Sequence, residues 1–203
     1  CGGIRLDEVS LMKRIGALLL CGILLLPAAG ASGTPWPAWA AEALAWGREK
    51  SVSRAFLASP GQRLTRGAVA RLLYESAGQP AAHEECPFSD VSEKDAAAVG
   101  WAAGQGYLTG VGDGTYEPGR PVTRQEFAAI LWRQAGTPEV PVQGLERFGD
   151  AGTVSEWARD AVLWCQQAGV MAGRSGDKLA PEDTITTAEA LVMLERAAGL
   201  PEE

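Results

Sequence analysis

One pattern occurs three times along this chain, and it constrains the fold more than any single motif. Residues 39–46 and 157–164 each begin and end with tryptophan, and residues 94–101 match them except for a lysine at the first position. Each segment is followed by a threonine that opens another apolar stretch: Thr65, Thr123 and Thr186. A unit repeated in this way folds as one supersecondary element that stacks on its neighbours. We therefore divide the chain into copy one (36–80), copy two (86–137) and copy three (146–200).

Each copy has the pattern of two helices joined by a loop. In copy two, the first helix is expected to begin near Ser92 and end at Gly106, and the second to begin at Thr123. There Thr123 and Glu126 have the spacing of a capping box, in which each side chain binds a backbone amide of the first turn. Copy three repeats the box with Thr186 and Glu189. Copy one has Thr65 but carries alanine in place of the acid.

The expected fold class is mainly α. A helix pair of this length cannot bury its own apolar stripe, so the three helix–loop–helix copies should pack against one another as one unit.

The first 31 residues have the layout of an extension followed by a secretory signal peptide. Lys13 and Arg14 precede an apolar run at 15–26, and small residues follow through Ala31. About twelve apolar residues are too few for a comfortable membrane span. We expect an exported protein with no membrane segment after cleavage; a buried core helix is the alternative.

The charge balance disfavours nucleic acid or anionic lipid as a partner. The chain has 18 Lys and Arg against 25 Asp and Glu, a net charge of −7. Long-range repulsion would oppose a polyanion, so any anionic ligand must be held locally.

Two arginines occupy a locally unfavourable place. Arg66 and Arg124 lie in the first turn of the second helices, where the helix dipole already leaves partial positive charge. Such breaches of local preference tend to mark function, and an arginine beside free helix amides suits a carboxylate or phosphate. The alternative is that each arginine pairs with an acid such as Asp90 or Asp150 and ties two copies together.

Copies two and three resemble the S-layer homology (SLH) repeat. The resemblance rests on 88–91 (Phe-Ser-Asp-Val), 106–118 with its glycines and 122–127 (Val-Thr-Arg-Gln-Glu-Phe), and in copy three on 148–150, 169–173 and 185–189. It implies a prism with pseudo-threefold symmetry and ligand grooves between repeats. Members of that family anchor S-layer proteins and exoenzymes non-covalently to secondary cell-wall polysaccharide, commonly pyruvylated. We therefore expect either a fragment of a larger surface protein, with a covalent effector domain outside this sequence, or a stand-alone module with a separate effector partner.

The chain departs from the family pattern at several places. Copy one lacks the aromatic-x-Asp opening and has Ser51 and Ala55 where the glycines would be. Copy two has Lys94 in place of tryptophan, and copy three has Thr187 in place of arginine.

The candidate ligand-binding residues are those that could touch a sugar or its acidic substituent. Among seven tryptophans, three are expected in the core (Trp46, Trp101, Trp164), whereas Trp39 and Trp157 could stack on a sugar ring. Gly110 and Gly173 should permit tight turns or a close approach of the polymer. The full set is Arg66, Arg124, Thr123, Thr186, Asp90, Asp150, Trp39, Trp157, Gly110 and Gly173.

Catalysis, cofactors and metals are not expected. The single histidine, His83, lies in a connector without a nucleophile nearby. The 112–117 loop lacks the alternating ligands of a calcium site and is better explained as a turn. Cys86 and Cys165 could pair, but their spacing does not require it. The main alternative to wall binding is a degenerate structural or protein-interaction module of the same fold.

Overall fold

The computed structural model describes residues 35–81, 85–140 and 144–201. The predicted extension and signal peptide (1–31) and His83 lie outside the described residues. Seven α-helices lie within these ranges: α1 (Ala41–Glu49), α2 (Arg54–Leu57), α3 (Arg66–Ser76), α4 (Glu93–Gly104), α5 (Arg124–Gln134), α6 (Arg159–Gln167) and α7 (Thr187–Ala198). Short 3-10 helices occur at Ala38–Ala40, Ala151–Thr153 and Glu156–Ala158. The mainly α prediction is confirmed.

The second helices α3, α5 and α7 begin where the sequence predicts. Their N-cap residues are the repeated threonines, and each hydroxyl accepts a hydrogen bond from the third amide of its helix. The boxes of Thr123 with Glu126 and of Thr186 with Glu189 are complete. These starts are predictable because a capping box is formed by residues within one turn of each other.

The first helices of copies two and three end on a left-handed glycine. Gly106 has φ 74° and Gly169 has φ 71°. In copy one, Ser51 occupies the equivalent place with φ 59°. A residue with a Cβ in this conformation is strained by about 1–2 kcal/mol. Copy one also contains the short helix α2, which the sequence pattern did not predict.

Each first helix packs on the second helix of the preceding copy. The pairs are α4 on α3, α6 on α5, and α1 on α7. The last pair joins copy three back to copy one, so the helix pairs close a ring. No described copy buries its apolar face by itself.

A ring of backbone hydrogen bonds links the segments that precede the second helices. The amide of Leu64 donates to the carbonyl of Ile185 (3.0 Å), Ile185 donates to Val122 (2.9 Å), and Val122 donates to Leu64 (3.0 Å). All three side chains are at most 2% exposed. The connections thus repeat threefold at the centre of the described residues; the prism packing stays a prediction.

The core contains apolar side chains from all three copies. Trp46, Trp101 and Trp164 were expected in the core; they pack against it but are only half-buried. Cys86 and Cys165 are both free thiols, and Cys165 is fully buried beside the carbonyl of Ala128. Burial raises the pKa of the Cys165 thiol.

Candidate functional site

Arg66 reaches from copy one into the loop of copy two. Its Nε donates to the carbonyl of Tyr116 (2.7 Å), and its Nη2 donates to the carbonyl of Thr109 (2.5 Å). The guanidinium lies 4.3 Å from the centre of the Tyr116 ring, and the buried phenol donates back to the Arg66 carbonyl (2.9 Å). This cation–π contact and the hydrogen bonds fix the loop of copy two against the start of α3.

Arg124 makes the equivalent contacts one copy further on. Its Nε donates to the carbonyl of Leu179 (3.1 Å) and its Nη2 to that of Ala172 (2.8 Å). Its Nη1 donates to Glu189 (3.0 Å), and the residue is only 3% exposed. Arg124 therefore ties copy two to copy three through carbonyls and Glu189, and neither arginine hydrogen-bonds to Asp90 or Asp150.

The amides that open the second helices already have partners. In copy one, the amide of Arg66 donates to the carbonyl of Arg120 and the amide of Gly67 to that of Pro118, each at 2.9 Å. The same pair of bonds opens α5 and α7, and the threonine caps take the third amide. The prediction of free helix amides beside Arg66 and Arg124 is wrong, because the neighbouring copy's loop occupies them. Thr123 and Thr186 serve as caps.

Asp90 holds the loop of its own copy. Its two carboxylate oxygens accept from the amides of Tyr116 and Glu117, both at 2.7 Å, and Glu117 has a left-handed φ of 56°. Partial desolvation raises the pKa of Asp90, but these hydrogen bonds lower it more, so it lies below its usual value. Asp150 does the same in copy three, accepting at 2.8 Å from the amides of Leu179 and Ala180.

Gly110 and Gly173 are needed for space. Neither has a positive φ. A Cβ on Gly110 would lie 2.6 Å from Phe88 and 2.8 Å from the Thr115 carbonyl, and one on Gly173 would lie 2.8 Å from the Lys178 carbonyl. The close approach that these glycines allow is made by the protein's own loop.

Six of the candidate residues line two equivalent grooves. The Trp157 groove, about 240 Å³, lies among Arg66, Gly110, the side chains of Glu126 and Arg133 on α5, and Trp157. The Trp39 groove, about 320 Å³, has corresponding walls: Arg124, Gly173, Glu189, Arg196 and Trp39. Each groove is thus built by all three copies.

The tryptophans of these grooves are unusually exposed. Trp39 is 59% exposed and Trp157 is 58% exposed, whereas the tryptophans of the first helices are half-buried: Trp46, Trp101 and Trp164. The four other candidates, Thr123, Thr186, Asp90 and Asp150, do not line either groove. They hold the frame on which the grooves are built.

The third junction, where α4 packs on α3, has lost these features. Lys94 occupies the place of the exposed tryptophan, Thr187 that of the arginine and Ala68 that of the capping acid. Glu75 replaces the basic residue and accepts from the amide of Ser53 (2.8 Å). This junction has none of the groups that distinguish the two grooves.

Several groove residues were missed from sequence alone. Arg120 and Arg174 line the grooves and pair with the capping acids Glu126 and Glu189. Arg133 and Arg196 recur at the same place in copies two and three, and that recurrence was a usable signal. Arg120 and Arg174 come from different positions of their copies, so alignment of the copies could not have found them.

Neither a metal-binding cluster nor a membrane-spanning helix is found in the described ranges. Within 35–81, 85–140 and 144–201, no group of three or more His, Cys, Asp or Glu residues is placed to hold a metal ion. None of the helices there has the length and apolar character to cross a bilayer.

Comparison with known proteins gives the class of the two better-preserved copies. The S-layer homology domain matches residues 87–128 and 147–191, which fall within copies two and three. The resemblance is therefore confirmed for those copies, and that of copy one stays a prediction.

Two relatives share part of this sequence. The chain is 25% identical over 154 residues to Cell surface glycoprotein 1 of Acetivibrio thermocellus, covering 68% of this chain and 6% of that protein. It is 32% identical over 105 residues to Endo-1,4-beta-xylanase A of Thermoanaerobacterium saccharolyticum, covering 50% of this chain and 9% of that protein. The chain thus spans less than a tenth of either relative.

Proposed function

We propose that this protein is a non-catalytic cell-wall anchoring module that binds secondary cell-wall polysaccharide in the Trp157 and Trp39 grooves. It is exported and retained at the bacterial surface by this contact. The S-layer homology match of copies two and three and the similarity to Cell surface glycoprotein 1 support this proposal.

The observation that carries the proposal is the pair of exposed indoles. A tryptophan more than half exposed leaves a large apolar face in water, and a sugar ring can cover that face with its C–H side. Trp39 and Trp157 present such a face at equivalent places, each beside a groove wall lined with arginines.

The arginine-lined walls favour an acidic sugar. Each groove holds three arginine side chains beside one capping glutamate: Arg66, Arg120 and Arg133 in one, Arg124, Arg174 and Arg196 in the other. Since the chain as a whole is negative, the attraction must be local. A carboxylate on the sugar, such as a pyruvyl ketal, suits these walls.

Sedimentation with purified sacculi from the bacterium that encodes the chain tests the proposal. The discriminating variant is Trp39→Ala with Trp157→Ala, because both side chains are exposed and their removal should spare the fold. Arg124→Ala would be a poor choice, since it leaves buried carbonyls and Glu189 without their partner.

The matched control is Lys94→Ala, an exposed change at the equivalent place of the third junction. The wild type and the control should sediment with sacculi and fail to do so once the secondary polymer is removed; the double variant should stay in solution in both cases. If the wild type stays in solution with intact sacculi, the degenerate structural or protein-interaction module becomes the better account.

A further inference from the structure

The two grooves differ in how many guanidinium nitrogens of their arginines already have a hydrogen-bond partner. In the Trp157 groove, Arg66 uses Nε and Nη2 on loop carbonyls, and its Nη1 has no hydrogen-bond partner among the described residues. Arg120 donates from Nη2 to Glu126 (2.7 Å), and its Nη1 is likewise without a partner in those ranges. Glu117 lies 3.3 Å from the Nε of Arg120 but makes no hydrogen bond with it.

In the Trp39 groove, every guanidinium nitrogen of the corresponding arginines has a hydrogen-bond partner. All three nitrogens of Arg124 donate, to two carbonyls and to Glu189. Arg174 donates to both carboxylate oxygens of Glu189 (2.7 and 2.9 Å) and also pairs with Asp183. Two carboxylates therefore occupy the guanidinium nitrogens that are left free in the other groove.

Two exchanges in the sequence explain the difference. The carbonyls of Arg120 and Asp183 receive the first amides of α3 and α5, so these two residues occupy equivalent places. One place carries a cation and the other an anion. In the Trp39 groove, the cation comes instead from Arg174, at the place of Val111, and Asp183 binds it.

We propose that the two grooves are unequal: the Trp157 groove selects a sugar bearing a carboxylate through Arg66 and Arg120, and the Trp39 groove binds the same polymer mainly by stacking, with little preference for the acid. This rests on the proposed function. Arg120 is the residue that sets the selectivity, because its Nη1, like that of Arg66, keeps no partner among the described residues, whereas the Nη1 of Arg174 is bound by Asp183.

Single-groove variants test this inequality. In the Trp39→Ala protein only the Trp157 groove keeps its tryptophan, and in the Trp157→Ala protein only the Trp39 groove keeps its tryptophan. The probes are wall polymer released from sacculi and the same polymer after mild acid, which hydrolyses ketal-linked carboxylates. Affinities are measured by isothermal titration calorimetry, with Lys94→Ala as the control.

The Trp39→Ala protein should prefer the untreated polymer by about tenfold, the size expected for a charged hydrogen bond. The Trp157→Ala protein should show less than about twofold preference, which is below 0.5 kcal/mol on the same scale. Adding Arg120→Gln to Trp39→Ala should abolish the preference, and Arg120→Lys should retain part of it.

The possible failures are separable. Equal preference in the two single-groove proteins, or none in the Trp39→Ala protein, overturns the inequality and leaves the wall-binding proposal standing. If neither tryptophan change weakens binding of the untreated polymer, or the wild type does not bind it, the proposed function itself fails.

Discussion

Two glycines set how closely the loops of copies two and three fold back on themselves. Gly110→Ala would place a Cβ 2.6 Å from Phe88 and 2.8 Å from the Thr115 carbonyl, and a carbonyl cannot rotate away as a flexible side chain can. Overpacking of this kind costs about 1–3 kcal/mol. We expect the free energy of unfolding, measured in urea by tryptophan fluorescence, to fall by that amount.

Gly119→Ala is the control for this change. Gly119 lies in the same loop region, has no positive φ and has nothing within 4 Å of an added Cβ. The free energy of unfolding of the Gly119→Ala variant should equal that of the wild type or be slightly higher, because alanine restricts the unfolded chain. Equal stability of the Gly110 and Gly119 variants would show that the loop has room to relax.

At the scale of single residues, local features were predictable and distant partners were not. Thr123 caps the start of α5 by accepting from the amide of Glu126, which lies within one helical turn, so its role follows from spacing. Arg66 donates to a carbonyl 50 residues away. Nothing near Arg66 in the sequence indicates that the neighbouring loop would occupy both its side chain and its amide.

Between elements, a carboxylate near the start of copies two and three binds the loop between the two helices of the same copy; these carboxylates are Asp90 and Asp150. Asp150 accepts from two consecutive amides, and these bonds lower its pKa more than partial desolvation raises it. The folded protein therefore binds this proton less tightly than the unfolded chain does. The resulting stability is present above the unfolded pKa of about 4 and is lost as pH falls through the folded value.

Asp150→Asn tests this origin of acid sensitivity. The variant should have a lower Tm than the wild type at pH 7, and its Tm should fall less steeply as the pH is lowered below about 4. Glu182→Gln, whose exposed side chain makes no hydrogen bond in the described ranges, is the control. Parallel Tm curves for the wild type and Asp150→Asn would contradict a role for this carboxylate.

The helices were predictable as elements, but their pairing was not. Apolar periodicity and caps indicate that α4 and α5 exist, and both hold one apolar face. They do not show that α4 packs on α3 of the preceding copy. That choice depends on closing the ring through α7 and α1, which is a property of all three copies together.

The closed ring predicts that the described core unfolds as one cooperative unit. An open array of repeats can lose its terminal units separately, because each contacts only its neighbours. Here copy one contacts copy three through α1 and α7 and through the Leu64–Ile185 hydrogen bond. We expect one calorimetric transition with equal van't Hoff and calorimetric enthalpies. A van't Hoff enthalpy well below the calorimetric one would indicate copies that unfold separately.

At the scale of the molecule, the sequence predicted two better-preserved copies and one degenerate copy. It did not predict that each groove is built by residues of all three copies, so that the three departures from the pattern, Lys94, Thr187 and Ala68, fall on one junction. Because the departures of three different copies meet there, two complete grooves remain.

Binding of wall polymer at Trp39 and Trp157 can be observed directly. The direct measurement is a titration of the ¹⁵N-labelled protein with polymer released from sacculi, following the indole N–H signals of the tryptophans by NMR. We predict that the signals of Trp39 and Trp157 shift saturably, while those of the half-buried Trp101 and Trp164 and the backbone amide of Lys94 stay in place. Unchanged Trp39 and Trp157 signals, or shifts centred on Lys94, would contradict the account.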